Sequence, residues 1–371
     1  MIDERTATPT HRRTNAVLAV TITSLLLTTA FVVRNLSASD WNPSVFLALG
    51  AEIAPTRDYA YALLGDDLDL RAGRGHDGKF FFAQANDPLL LAPEAHAAVL
   101  DRPVYRSQRI LFPLLAGGFG LLSPWAVVWG MLVLSVLSIA AGTYATALVA
   151  RGMGASPWWG LAFGLNIGVI SELLVGGAGH LGFALVMFSV AALQRGRSVW
   201  SLVALTGAVL AREVLLIGVA GIALWLWQRS HRRLAVLHLA VPILAVVAWG
   251  IYVRTRIGWM TGVTEVEEIG WPFVGLWQAA KLWPGSSRDM LVGVAIVVIL
   301  ALFVRRLVSS RWLVGYVAAG FVPVALLLTR QVWFSYFDIT RAVSPVITAF
   351  LLLAFAGHAA NEEQMALGRR T

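Results

Sequence analysis

Residues Ala16–Val33 read AVLAVTITSLLLTTAFVV, a run with no charged side chain. As a helix it rises about 27 Å, close to the hydrocarbon thickness of a bilayer at about 30 Å. Arg12 and Arg13 stand directly before it, which puts its N-terminus in the cytoplasm by the positive-inside rule. A secretory signal would end in a small-residue cleavage site; the run lacks a clean one and reads as a retained first helix. Working outward, apolar runs recur at 124–150, 158–193, 199–227, 234–253, 289–304, 312–328 and 343–357. The runs at 158–193 and 199–227 are too long for one crossing. Each is interrupted near its middle, by Glu172 and Gly176–His180 in the first and by Arg212-Glu213 in the second. Counting each as two helices keeps Arg151, Arg195, Arg197 and Arg229 on one side and gives about ten spans. The expected fold is therefore all-α: a polytopic transmembrane helical bundle, 1–371 forming a single membrane-embedded domain with both termini cytoplasmic.

Composition agrees. Of 371 residues, 58% are hydrophobic and 13% charged, too little polar surface for a soluble protein of this size. The net charge of +8 is carried by short clusters between apolar runs and not by a basic stripe, which argues against a nucleic-acid partner. With no cysteine, disulfides, thiolate metal centres and a cysteine nucleophile are excluded. Fifteen Trp, many near span ends, fit an interfacial aromatic belt.

Two hydrophilic segments interrupt the pattern. The first, 34–109, is an external loop with the acidic cluster Asp66-Asp67-Leu68-Asp69 and cations that include Arg57, Arg71, Arg74 and Lys79. Cations on the outer side run against the charge bias of short loops and suggest retention for an anionic ligand. The second, 254–287, carries Glu265, Glu267, Glu268 and an amphipathic stretch Trp271–Trp283. A further outer turn holds Arg330, Trp333, Tyr336, Asp338 and Arg341 before the last span.

Chemistry concentrates in the first loop. Gly75-His76-Asp77-Gly78-Lys79-Phe80-Phe81-Phe82 sets a carboxylate on permissive backbone beside an aromatic surface able to lie in the membrane interface. Asp77 is the candidate general base; the plain alternative is a loop aspartate capping a turn. Tyr105-Arg106-Ser107-Gln108-Arg109 puts two cations one helical turn apart, suited to a phosphate, or else to snorkelling at a helix mouth. Arg212 and Glu213 are ionisable at membrane depth; as sequence neighbours they point apart, so at least one needs a partner elsewhere. His76, Lys79, Tyr105, Arg330 and Arg341 complete the substrate-binding candidates. Asp66 and Asp67 are secondary candidates for a divalent cation, with a solvated acidic turn as the alternative. His180, in its glycine-rich turn, reads as solvated.

The string His76-Asp77-Gly78-Lys79-Phe80-Phe81-Phe82-Ala83-Gln84-Ala85 is similar to the Asp-Gly-x-x-Tyr-x-x-Ile-Ala pattern of GT-C glycosyltransferases, in the branch of GPI-mannosyltransferase-like and bacterial mannosyltransferase-like enzymes. Tyr105-Arg106-x-x-Arg109-Ile110-Leu111-x-Pro113-Leu114-Leu115 and the mid-chain Arg-Glu also resemble bacterial members. Phe81 or Phe82 takes the place of the Tyr, and Gln84 that of the Ile, one place early. The motif-level likeness covers roughly 75–115; elsewhere only the layout of helices and loops is shared. The resemblance implies an inverting transfer of a sugar from a polyprenyl-phosphate donor to an envelope lipid, glycan or protein, at the external face of the cell membrane, with Asp77 as base. No cofactor is then required, because arginines can stabilise the lipid-phosphate leaving group; a divalent cation is the alternative. Two other classes compete: a transporter or flippase for a lipid-linked intermediate, and a non-catalytic scaffold of envelope assembly.

Overall fold

The computed structural model describes residues 9–258 and 269–355, with side chains from residue 15 onward. The side chains of Arg12 and Arg13, together with Glu265, Glu267, Glu268 and the C-terminal tail, lie outside this description. Among the described residues the regular structure is helical, apart from one two-residue parallel pairing and two isolated bridges. It runs α1 (Pro9–Ala38), β1 (Leu49–Gly50), α2 (Ala54–Leu64), β2 (Leu70–Arg71), α3 (Gly78–Asn86), α4 (Pro93–Val99), α5 (Pro103–Arg106), α6 (Leu111–Ala116) and α7 (Pro124–Gly152). Then follow α8 (Leu161–Gly164), α9 (Ile167–Leu174), α10 (Gly179–Leu193), α11 (Ser198–Ala211), α12 (Leu216–Gln228) and α13 (Arg232–Ile257). The chain continues through α14 (Val274–Ala280), α15 (Ser287–Ser309), α16 (Leu313–Ala319), α17 (Phe321–Leu327), α18 (Arg330–Phe334) and α19 (Tyr336–Phe355).

Among the described residues five helices are long and apolar enough to cross a membrane: α1, α7, α13, α15 and α19. Four shorter apolar helices accompany them, at Gly179–Leu193, Ser198–Ala211, Glu213–Gln228 and Leu313–Leu327. This is consistent with a membrane protein. The exposure pattern has the same sense: α13 and α15 turn Leu244, Ile251, Leu291 and Val298 outward, as helices in contact with lipid would. α7 and α10, with α11 against α10, form the packed interior.

Three local features differ from expectation. The stretch 158–174 is not one helix, because α8 stops at Gly164 and Asn166 caps a new start by accepting from Gly168 N at 2.9 Å. The last span begins at Tyr336, so Asp338 and Arg341 are helical residues rather than turn residues. In the segment 269–287 the α-helix covers only Val274–Ala280; Trp271, before it, and Trp277, on it, are exposed, while Trp283 is buried. The break expected at Arg212-Glu213 is present, and Arg212 itself is extended (φ −158°, ψ 112°) between α11 and a short 3₁₀ turn.

One contact sets the frame for the site. The Asn166 side chain donates to the Ser344 carbonyl and the Thr348 hydroxyl of α19, both at 3.0 Å. Gly168 has no room for a Cβ against the Thr340 carbonyl, so α9 and α19 approach at backbone distance. This fixes Glu172 on α9 beside Arg341 on α19.

Candidate active site

Asp77 occupies the residue before α3, with helical backbone angles and no side-chain bond to the helix amides. The capping role therefore falls away: the carboxylate points elsewhere. The backbone around it is tightly held. Gly78 donates to the Val175 carbonyl at 2.8 Å and His76 to the Ala48 carbonyl at 2.9 Å. A Cβ on Gly78 would come within 2.6 Å of the Leu47 carbonyl oxygen, and one on Gly176, at φ +62°, would come equally close to the Phe46 carbonyl oxygen. Glycine is needed here for close approach rather than for flexibility. The three phenylalanines anchor the same helix from within: Phe80, Phe81 and Phe82 are all buried, with Phe81 edge-on to Phe112 and Phe82 edge-on to Tyr59. They do not form the membrane-interface surface expected, because α3 packs between α2, α6 and α7.

Asp77 Oδ1 accepts from Arg106 Nη1 at 2.8 Å and Oδ2 from Arg341 Nη2 at 2.6 Å. Arg106 also pairs with Asp101 through Nε (2.9 Å) and Nη2 (3.0 Å). Arg341 Nε lies 3.0 Å from Glu172 Oε1, and Nη1 lies 3.2 Å from Asp338. Glu172 in turn receives Arg212. Arg109 binds Glu213 through Nε and Nη2 (2.9 and 2.8 Å) and reaches the Tyr105 hydroxyl. Arg212 and Glu213, adjacent in sequence, thus serve different partners, as neighbours on an extended turn must. Burial alone would raise the Asp77 carboxyl, but Arg341, Arg106 and Arg109 hold it well below the usual carboxylate range. It is ionised at any physiological pH. Burial pulls Lys79 down to about 8 and lowers His76.

These groups line one cavity of about 940 Å³. His76, Asp77, Lys79, Tyr105, Arg106, Arg109, Arg212, Glu213 and Arg341 are all on its wall, so nine of the sequence candidates converge although they come from four separate segments. A second wall is apolar, made by Phe321, Val324, Leu328 and Val332. Other expectations are corrected. Arg330 is exposed and outside this lining, because α18 points it away. Arg106 and Arg109 are not an idle pair of cations: each is already bound to a different carboxylate. Arg57 pairs with its neighbour Asp58, and Arg71 is spent on the Val45 and Leu174 carbonyls, tying the loop to α9. Lys79 donates to the Arg74 carbonyl. Asp66 and Asp67 are exposed and away from the cavity, and among the described residues no group of three His, Asp or Glu is placed to hold a metal. His180 is fully buried, edge-on to Phe112 at 5.5 Å, because α10 begins at Gly179 and draws the expected turn inside.

Glu172 and Asp338 are site residues that sequence reasoning did not single out. Glu172 is 3% exposed yet joins two arginines from distant segments of the chain. The one available signal was a carboxylate inside an apolar run. No family model, curated protein or solved structure matches the chain.

Proposed function

We propose that the chain is an inverting membrane glycosyltransferase of GT-C type that takes its sugar from a polyprenyl-phosphate donor at the non-cytoplasmic face. The observation that carries this reading is the cavity itself: an ionised carboxylate, Asp77, ringed by Arg106, Arg109, Arg212 and Arg341, with an apolar wall alongside. In this reading the prenyl chain lies along Phe321, Val324, Leu328 and Val332, and the phosphate lies among the guanidinia. Asp77 takes the proton of the acceptor hydroxyl as that oxygen attacks the anomeric carbon; the bond to the phosphate oxygen breaks, and its electron pair leaves with the lipid phosphate. Arginines placed where this charge develops stabilise the leaving group. Envelope lipid, glycan or protein is the acceptor class, and the about ten spans of the sequence reading belong to the same proposal.

A lipid-intermediate transporter is the second reading, favoured by one observation. Glu172, Arg212 and Arg341 pair within the helical body, not only in outer loops, as the charged relays of transporters do. Purified protein in sealed vesicles separates the two. With a labelled polyprenyl-phosphate sugar and an envelope lipid extract, the expected result is label transfer to the acceptor fraction. Movement of intact labelled lipid across the bilayer with no transfer would establish the transporter instead.

A further inference from the structure

The base is engaged on both sides. Both oxygens of Asp77 are engaged, Oδ1 by Arg106 at 2.8 Å and Oδ2 by Arg341 at 2.6 Å. A carboxylate held by two guanidinium donors is a weak proton acceptor, and its best lone-pair directions are taken. The same two arginines face the cavity where a donor phosphate has to sit. Each also has a second carboxylate that keeps it paired if it leaves Asp77: Asp101 for Arg106, and Glu172 and Asp338 for Arg341. Arg109, by contrast, has both Nε and Nη2 committed to Glu213.

We infer that the donor's phosphate draws Arg106 and Arg341 off Asp77, so that one exchange of ion-pair partners both holds the donor and frees the base. This rests on the glycosyltransferase reading and adds an order to it. The donor binds first, and the acceptor hydroxyl meets a competent base only beside a bound phosphate. The exchange adds the phosphate's single negative charge to a site already rich in arginines and needs no covalent step. Its energetic advantage is that the donor's phosphodiester, with one negative charge shared over two non-bridging oxygens, offers the two forks the pair of acceptors that Asp77 had supplied.

The test uses the full chain in lipid nanodiscs with three probes: a short-chain prenyl monophosphate, the corresponding prenol, and inorganic phosphate. If the arginines must be released from Asp77, Asp77→Asn tightens prenyl monophosphate binding by roughly tenfold. That gain disappears when Asp77→Asn is combined with Arg106→Gln and Arg341→Gln. A gain that persists in the triple variant reports only the loss of a repelling charge, and no gain at all means the arginines never leave; either overturns the exchange. Infrared difference spectra of the wild-type protein with ¹³C-labelled aspartate give the same answer without a variant. A carboxylate band shifts on adding prenyl monophosphate and stays fixed with prenol. No shift overturns the inference, and an equal shift with inorganic phosphate at the same concentration overturns the lipid phosphate as the occupant. If wild type transfers sugar but shows no shift, the exchange fails and the glycosyltransferase reading survives. If it neither binds prenyl monophosphate nor transfers sugar, both fail.

Discussion

Asp77→Asn is expected to fold and to lose sugar transfer by about a thousandfold, within the range of about 10²–10⁴ that a positioned general base contributes. The amide keeps the shape of the side chain but cannot take a proton. Folding survives because neither arginine is stranded: Arg106 keeps Asp101 at 2.9 Å, and Arg341 keeps Glu172 at 3.0 Å and Asp338 at 3.2 Å. The Asp77 side chain is also 21% exposed to the cavity, so water can reach the altered group. Initial rates measured on protein with an unchanged melting temperature test this. Near wild-type rates would reduce Asp77 to an anchor for two arginines.

The second large effect is one of stability. Glu172→Ala is expected to cost about 3–5 kcal/mol, the usual consequence of removing one partner from a buried ion pair. The Glu172 side chain is 3% exposed and holds Arg212 and Arg341, whose own side chains are 20% and 7% exposed. Arg341 has other carboxylates to fall back on; for Arg212, whose Nε is already without a hydrogen-bond partner, the loss is not shared. Glu172→Gln retains the shape and an acceptor oxygen and should lose less. Thermal unfolding of the two variants in the same nanodiscs gives the comparison. A Glu172→Ala protein as stable as wild type would show that the network does not contribute to the fold.

Both effects depend on a network whose parts were unevenly visible in the sequence. The helices at 124–152, 232–257 and 287–309 follow from uninterrupted apolar runs, because hydrocarbon length is a one-dimensional quantity. Asp77 stood out because a charged residue between glycines has few local explanations. That Arg212 and Glu213 have separate partners follows from the geometry of neighbours. What could not be read was which carboxylate meets which arginine. Glu172 and Arg341 are 169 positions apart, and their meeting depends on Asn166 and Gly168 bringing α9 against α19. The phenylalanines misled for a related reason. Three in a row fit an interface as well as a core, and only the packing of α3 between α2, α6 and α7 decides in favour of the core. His180 looked solvated because glycines mark turns, yet these glycines make space beside Glu172: a Cβ at Gly177 or Gly179 would collide with its carboxylate.

The central claim, direct displacement of a lipid phosphate by an acceptor hydroxyl activated by Asp77, has a stereochemical signature. Attack opposite the leaving phosphate inverts the anomeric carbon once. Proton NMR of the anomeric position, in product formed by purified protein from a polyprenyl-phosphate sugar of known configuration, measures this directly. The account predicts a single product of inverted configuration. A product that retains the donor's configuration would contradict it, since that outcome requires a covalent or internal-return path in place of a single displacement.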